Sequence, residues 1–356
     1  MDIKVGLIGC GGIASAKHMP GLVKVGAFLS GFFDVDSARA KAAADKYGTN
    51  ATVYDSVEEL LNDPEITVIH ICTPNKTHAE YAVRALHAGK HVMCEKPMAI
   101  NSQEAEKMVA AAKQSNRKLT IAYQGRFRNE VQLLKRMCTN GDLGDIYFAR
   151  AHALRRRGVP TWGVYRDSSL QGGGCLIDIG THALDLTLWL MDNYEPEYVV
   201  GTTYRKIVNR PADANVWGEW DSSLLDAEDA AFAMLRMKNS ATVEIECSWA
   251  INCREAFESC ATLAGTKAGA DLRGGLRVNG AASGSLFINS LDVNNEDGTS
   301  FPVAYTDNPG DAEMKAWIDA IRFDKEPVVT PKQAFVIAKI IDGIYQSAQT
   351  GKALYF

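Results

Sequence analysis

The 356 residues contain no CxxC pair, no hydrophobic run of membrane-spanning length, no long block of like charge and no low-complexity linker. Each absence excludes something. A bilayer crossing needs about 20 consecutive apolar residues, so no transmembrane helix and no membrane partner is expected. Eight cysteines at 10, 72, 94, 138, 175, 247, 253 and 260 lack the paired Cys or His spacing of a zinc site, so no metal is expected. In a chain of this size they read as reduced, mostly buried thiols, which points to a cytoplasmic protein. Residues 1–8 run straight into a strand pattern, without the basic and apolar regions of a signal peptide. The formal charge of −5, from 38 Lys and Arg against 43 Asp and Glu, is spread along the chain. A nucleic-acid surface would need clustered Lys and Arg, so none is expected.

What is present is enough for two cores. At 46% hydrophobic residues and this length, two domains are the natural reading. Apolar runs at 3–9, 28–33, 67–72, 91–94 and 118–122 suit buried parallel strands. Helical patterns fall between them, to about residue 25 and at 37–47, 56–61, 78–88 and 104–114. Ser56 and Glu59 have the spacing of a capping box. This alternation predicts an α/β fold whose first domain, 1–125, is a Rossmann-type parallel sheet. Later strand candidates at 146–154, 198–208, 230–237, 241–250, 257–264 and 286–293 follow one another with turns between. They predict a second, α+β domain over 126–356 with a largely antiparallel, open-faced sheet. Helices are expected at 311–323 and 333–349, the latter packing back on the first domain.

Gly9-Cys10-Gly11-Gly12-Ile13-Ala14 fits G-x-G-x-x-G/A between a strand and a helix, the context a dinucleotide site requires. Gly9 permits the tight turn, Gly11 and Gly12 open the backbone to a pyrophosphate, and small Ala14 lets the helix pack on the strand. Asp34 closes the second strand, where a carboxylate accepts the ribose hydroxyls and repels a 2′-phosphate. Val35 follows, with no adjacent Arg to welcome that phosphate, so the cofactor is expected to be NAD. Asp36 competes for the role but reads better as the cap of the 37–47 helix.

Two further segments carry the chemistry. One is Cys72-Thr73-Pro74-Asn75 with His78, followed by Gly89 to Cys94 and Glu95-Lys96-Pro97; the other is Gly172-Gly173-Gly174 through Asp178 to His182. Lys96 stands at the C-terminal end of a strand, where open α/β sheets place their ligands. Its ammonium can hydrogen-bond a hydroxyl and stabilise an alkoxide. Asp178 and His182 are four apart, so one helical turn would put them on one face, the carboxylate orienting the imidazole. The same spacing also describes an ordinary local salt link. His182 is then the better-placed general base and Lys96 assists, although the residues leave open which takes the proton first. His18, His70, His87, His91 and His152 fit no catalytic pattern and read as structural.

Together with Gly9–Ala14, these segments resemble the glucose–fructose oxidoreductase / inositol dehydrogenase (Gfo/Idh/MocA) family over essentially the whole chain. The resemblance implies that Lys96, Asp178 and His182 are catalytic. It places Thr73, Pro74, Asn75, His78, Glu95, Lys96 and Gln124 in the cofactor set, His78 shaping the pocket and Glu95 orienting Lys96 or touching the nicotinamide side. The stretch from Ala153 through Arg155-Arg156-Arg157 and Trp162 to Tyr165 looks like the family's glucoside 3-dehydrogenase branch. So do Gly218-Glu219-Trp220-Asp221 and Ala227-Glu228-Asp229. That branch interconverts a pyranoside's C3 hydroxyl with the 3-oxo sugar. Trp162 could present its face to the sugar or the nicotinamide, while Arg156 and Arg166 could bond hydroxyls or cofactor phosphates. The same loop could also simply pack between domains.

An inositol, a 1,5-anhydro sugar or a diol are alternative substrates, and a non-catalytic NAD(P)-sensing regulator is the alternative of another class. Tyr198, Val200, Phe232, Met234, Val243 and Ile245 alternate along strand candidates. They predict a homodimer or homotetramer joined through the C-terminal sheet.

Overall fold

The computed structural model describes residues 2–165, 167–210, 214–223, 225–291 and 308–356. Along the chain come β1 (Lys4–Ile8), a π-helical turn (Ala14–His18) that continues as α1 (Met19–Lys24), β2 (Phe28–Phe33) and α2 (Ser37–Tyr47). Then follow β3 (Thr52–Val53), α3 (Val57–Asn62), β4 (Val68–Ile71), α4 (His78–His87), β5 (His91–Cys94), α5 (Ser102–Ser115) and β6 (Leu119–Ile121). Next are α6 (Asn129–Thr139), β7 (Ile146–Leu154), α7 (Ser168–Gln171), a second π-turn (Leu176–Gly180) leading into α8 (Thr181–Met191), β8 (Pro196–Tyr204) and β9 (Ala230–Met237). The chain continues with β10 (Thr242–Ser248), β11 (Cys260–Gly265), β12 (Ala268–Asp271), β13 (Leu276–Ala282) and β14 (Ser285–Leu291). It ends with α9 (Pro309–Arg322), α10 (Pro331–Thr350) and β15 (Leu354–Tyr355). No helix among the described residues is long and apolar enough to cross a membrane.

Two compact units result, residues 2–124 with 308–338, and residues 125–291 with 339–356. In the first, six strands lie in the order β3-β2-β1-β4-β5-β6, and every pairing is parallel. All C-terminal ends therefore share one edge. Helix starts follow their capping chemistry. Asp36 accepts the Ala38 amide at 3.1 Å to open α2, Ser56 accepts that of Glu59 at 3.2 Å, and Asn101 that of Glu104 at 2.9 Å. The first helix is different. Pro20 has no amide hydrogen to give the carbonyl of Ala16, and the chain meets it with a widened turn in which the Met19 N–H bonds Ala14 O. The segment that returns as α9 packs Met314, Trp317 and Ile318 into this unit's core.

In the second unit nine strands run in the order β14-β13-β12-β11-β7-β10-β9-β8-β15. The sheet is mixed, because β7 and β10 pair in parallel while their other neighbours are antiparallel. Helix α8 covers one face, against Ala149, Ala151 and Ala153 of β7 and Ala261 and Leu263 of β11, all buried. Small side chains on β7 leave room for the helix. Each buried Leu or Ile at such a surface contributes about 1.5–3 kcal/mol.

The register corrects one expectation. Met234 lies opposite Glu244 and Val200, so Val243 and Ile245 fall on the same face as Leu235 and Ala233 and are buried. Only Tyr198, Val200, Phe232 and Met234 keep to the outer face, where Val200 and Met234 are both 41% exposed. The rest of that face carries polar pairs, Arg150–Glu244 at 2.7 Å, His152–Glu246, and Asp271 with Arg277 at 3.0 Å.

Four imidazoles of the first unit are held neutral. Burial pushes His18, His70 and His78 below the ordinary 6.5, and His91 down to about 4. The Lys118 amide donates to His91 Nδ1 at 3.0 Å, a bond only the unprotonated nitrogen accepts. Because folded values lie below the unfolded one, their contribution is complete above pH 6.5 and is lost as pH falls, between 6.5 and about 4 for His91. Each fully buried imidazole adds at most about 1.4 kcal/mol per pH unit. Urea midpoints measured across this window should fall with pH, and His91→Gln should flatten the slope; an unchanged midpoint down to pH 4 contradicts the assignment.

Candidate active site

The shared edge of the parallel sheet gathers the cofactor candidates. Gly9 adopts φ +91°, and a Cβ there would lie 2.7 Å from Cys72 O, so both conformation and space demand glycine. Nothing lies within 4 Å of where a Cβ would sit on Gly11 or Gly12. That leaves open space over the start of the first helix, where backbone amides favour an anion. Ile13 is exposed beside it. Asp34 stands against the same loop, Oδ2 accepting the Cys10 amide at 2.7 Å and Oδ1 that of Asp36 at 2.9 Å. These residues fit a dinucleotide, with the glycine loop for the pyrophosphate and Asp34 for the ribose.

The loop after β4 joins this edge. Thr73, Pro74 and Asn75 enter a short 3-10 turn, Asn75–Thr77, and the Thr77 hydroxyl donates to that of Thr73 at 2.8 Å. His78 lies between two carbonyls, Nδ1 2.8 Å from Pro97 O and Nε2 2.9 Å from Thr73 O. It thereby ties the post-β4 loop to the segment after β5. Burial pushes the ring's pKa below the ordinary 6.5, and the two carbonyl acceptors oppose that shift. Lys96, half-buried, follows buried Glu95, whose Oε2 accepts the Lys96 amide at 3.1 Å. Gln124 is exposed at the start of a 3-10 turn after β6.

In the second unit, Asp178 lies within the π-turn Leu176–Gly180 and His182 in the first turn of α8. Their four-residue spacing therefore spans a π/α junction instead of one regular α-turn. Asp178 is buried, and Trp249 donates its indole N–H to Oδ2 at 2.9 Å. This indole is 71 residues away in the chain, and no local pattern announces it.

The Gly172–Gly174 run has a packing cause. Glu228 accepts the amide of Gly174 at 2.8 Å through Oε2 and that of Leu176 at 3.0 Å through Oε1. Tyr345 of α10 donates its hydroxyl to Oε1 at 2.9 Å. A Cβ on Gly173 would run into the Tyr345 hydroxyl, and one on Gly174 into the Glu228 carbonyl. A half-buried carboxylate thus caps the segment that carries Asp178 and His182. Burial raises its pKa, and its neutral donors recover only part of that.

The loop candidates divide. Arg156 is exposed. Trp162, 47% exposed, meets Trp217 edge-on with centroids 4.9 Å apart, and Arg155 lies 5.0 Å over the Trp217 ring. Arg155 is itself held by a two-point ion pair with Glu258. Trp220 is buried and bonds Val208 O at 3.1 Å, a packing role. Asp229 accepts the amides of Lys206, Ile207 and Val208 and so shapes the loop after β8. Arg166 lies outside the described residues.

Residues 3–123 match the NAD-binding Rossmann-fold domain of the GFO/IDH/MocA oxidoreductase family, and residues 131–271 match its C-terminal domain. The chain is 32% identical to the D-glucoside 3-dehydrogenase of Escherichia coli K12, over 98% of this chain and 96% of that protein. It is 31% identical to the glucose-6-phosphate 3-dehydrogenase of Bacillus subtilis 168, over 72% of this chain and 71% of that protein. A levoglucosan dehydrogenase solved with NADH and levoglucosan has the same fold, with TM-score 0.84 at 24% identity over 100% and 99% of the two chains.

Gly173→Ala should destabilise the protein by about 1–3 kcal/mol through overpacking against Tyr345. Tyr345→Phe, which removes the obstructing hydroxyl, should recover part of that loss. Thermal unfolding of the single and double variants checks this, and additive effects would refute the contact.

Proposed function

This chain belongs to the GFO/IDH/MocA oxidoreductase family, and from that premise we propose that it oxidises the C3 hydroxyl of a glucoside with NAD⁺, or reduces the 3-oxo sugar with NADH. Two relatives named for oxidation at position 3 support the regiochemistry. The observation that carries the mechanism is the buried Asp178, fixed by Trp249 on the helical segment that also bears His182.

Bound NAD⁺ supplies the hydride acceptor. Gly9, Gly11, Gly12 and Ile13 present the backbone to its pyrophosphate, and Asp34 accepts the ribose hydroxyls and disfavours a 2′-phosphate. Thr73, Pro74, Asn75, His78 and Gln124 shape the remaining cofactor wall. Lys96 donates to the reacting oxygen and stabilises the negative charge that builds on it. His182 receives the hydroxyl proton, and Asp178 holds the imidazole in the required orientation and stabilises its cation. Trp162 and Arg156 contact the glycoside, with the Trp162–Trp217 pair offering an apolar rim. Eight free thiols suit a reducing compartment, and we place the protein in the cytoplasm.

A panel of glucosides, anhydro sugars, cyclitols and diols with NAD⁺, read by NADH absorbance, tests the class, and product NMR locates the new carbonyl. Lys96→Ala and His182→Asn should each lower kcat by about 10²–10⁴-fold while NADH binding, read by fluorescence, is retained. A Lys96→Ala protein that oxidises glucosides at the wild-type rate would end this reading. A folded, NADH-binding protein that turns over no member of the panel would favour a regulator.

We further propose a homo-oligomer, dimer or tetramer, joined through the outer sheet face at Val200 and Met234. Light scattering should show a multimer that Val200→Glu with Met234→Glu converts to monomer. A monomeric wild type refutes it.

A further inference from the structure

A chain of buried ionisable groups lies under Lys96 in the first unit. Lys17 Nζ is 2.6 Å from Glu95 Oε1 and 3.1 Å from Glu313 Oε2, and His18 Nε2 is 2.8 Å from Glu95 Oε1. His18 Nδ1 lies 2.9 Å from His70 Nδ1. All five side chains are buried. Burial alone would raise the Glu95 carboxyl, but Lys17 and His18 outweigh it and hold it well below the usual range. Burial would lower the Lys17 ammonium, and Glu313 and Glu95 instead raise it.

The proton positions follow. An ionised Glu95 only accepts, so His18 Nε2 carries hydrogen. Burial keeps His18 neutral, so its Nδ1 is bare and must accept from His70 Nδ1–H. This arrangement accounts for each contact from Lys17 to His70 Nδ1 and leaves the buried His70 Nε2 without a hydrogen-bond partner.

Its geometry has two independent supports. The π-turn Ala14–His18 buries two successive residues, Lys17 and His18. Helix α9 then approaches closely, for a Cβ on Gly21 would lie 2.8 Å from Met314 Cγ and one on Gly310 2.9 Å from Lys17 Cγ. That approach delivers Glu313 to the ammonium. Buried ion pairs add little net stability, because desolvation offsets most of the attraction. The position of the cluster is more informative than its strength. Its carboxylate ends on the amide of Lys96, at 3.1 Å.

We propose that Lys17 and His18 are positioning residues for turnover: by clamping Glu95 they fix the backbone at Lys96 and hence the place of its ammonium. This rests on the reading of Lys96 as catalytic. Misplacement of a reacting group by about 1 Å can cost on the order of 10²-fold in rate.

The experiment compares steady-state kinetics and NADH binding of Lys17→Met, His18→Leu, His18→Gln and Lys96→Ala. Lys17→Met and His18→Leu should lower kcat about 10–100-fold, with the sugar KM and the NADH Kd changed less than about threefold. His18→Gln, which keeps a donor near the Nε2 position, should recover kcat to within about fivefold of wild type. A purely structural role would not separate kcat from KM or distinguish Gln from Leu. Should Lys17→Met fail to fold, His18→Leu carries the test, since it leaves the Lys17–Glu95–Glu313 charges intact. If Lys96→Ala is inactive but His18→Leu keeps wild-type kcat within about twofold, the clamp is refuted and the catalytic reading stands. If Lys96→Ala is fully active, it is the catalytic reading that fails.

Discussion

Parallel pairing in the first sheet is the constraint from which the candidate site follows. With β1 hydrogen-bonded to β2 on one side and β4 on the other, the chain reverses its direction of progression across the sheet at β1. The loops after β1 and β4 are thereby forced apart to opposite faces, and a crevice opens at the strand ends. Gly9, Asp34, Thr73 and Lys96 follow the C-terminal ends of four different strands, and parallel order alone brings them to one edge. The glycine at position 9 is required by the approach of Cys72 O, which is itself set by the β1–β4 register.

Two carboxylates, Glu95 buried and Glu228 half-buried, illustrate how partners decide what desolvation does to a charge. Glu95 receives an ammonium and an imidazole N–H, and is held ionised against desolvation. Glu228 receives two amides and a phenol, and its pKa is raised. Both organise backbone, one at Lys96 and the other ahead of Asp178. A charged partner holds charge in the interior, while neutral donors offset only part of the cost.

Much of the first unit was legible because its signals are local. Strand 28–33, helix 37–47 with Asp36 as its cap, and strand 91–94 occur where periodicity and capping place them. The motif residues at the sheet edge were legible for the same reason. Several features were not. Strand β12 is short, and both it and β13 contain glycine, so alternation is weak. The parallel β7–β10 pairing joins segments about 90 residues apart, beyond any window of pattern reading. The π-turn at Asp178 changes the phase that a four-residue spacing implies. Trp249, Glu228 and Tyr345 are linked to the Asp178 segment only through the tertiary fold, and Lys17 and His18 look like ordinary helix residues until α9 is in place.

The late return of α9 to the first unit has a consequence for synthesis of the chain. The sheet 2–124 leaves the ribosome long before residues 309–322 exist, so its nascent form lacks Glu313, Met314 and Trp317. During that interval the ammonium of Lys17 has one carboxylate instead of two, and apolar surface on the first helix stays wet. Completion of the nucleotide-binding half therefore waits for residues 309–322, and a chain cut short before them would leave the apolar surface of the first helix uncovered and prone to aggregation.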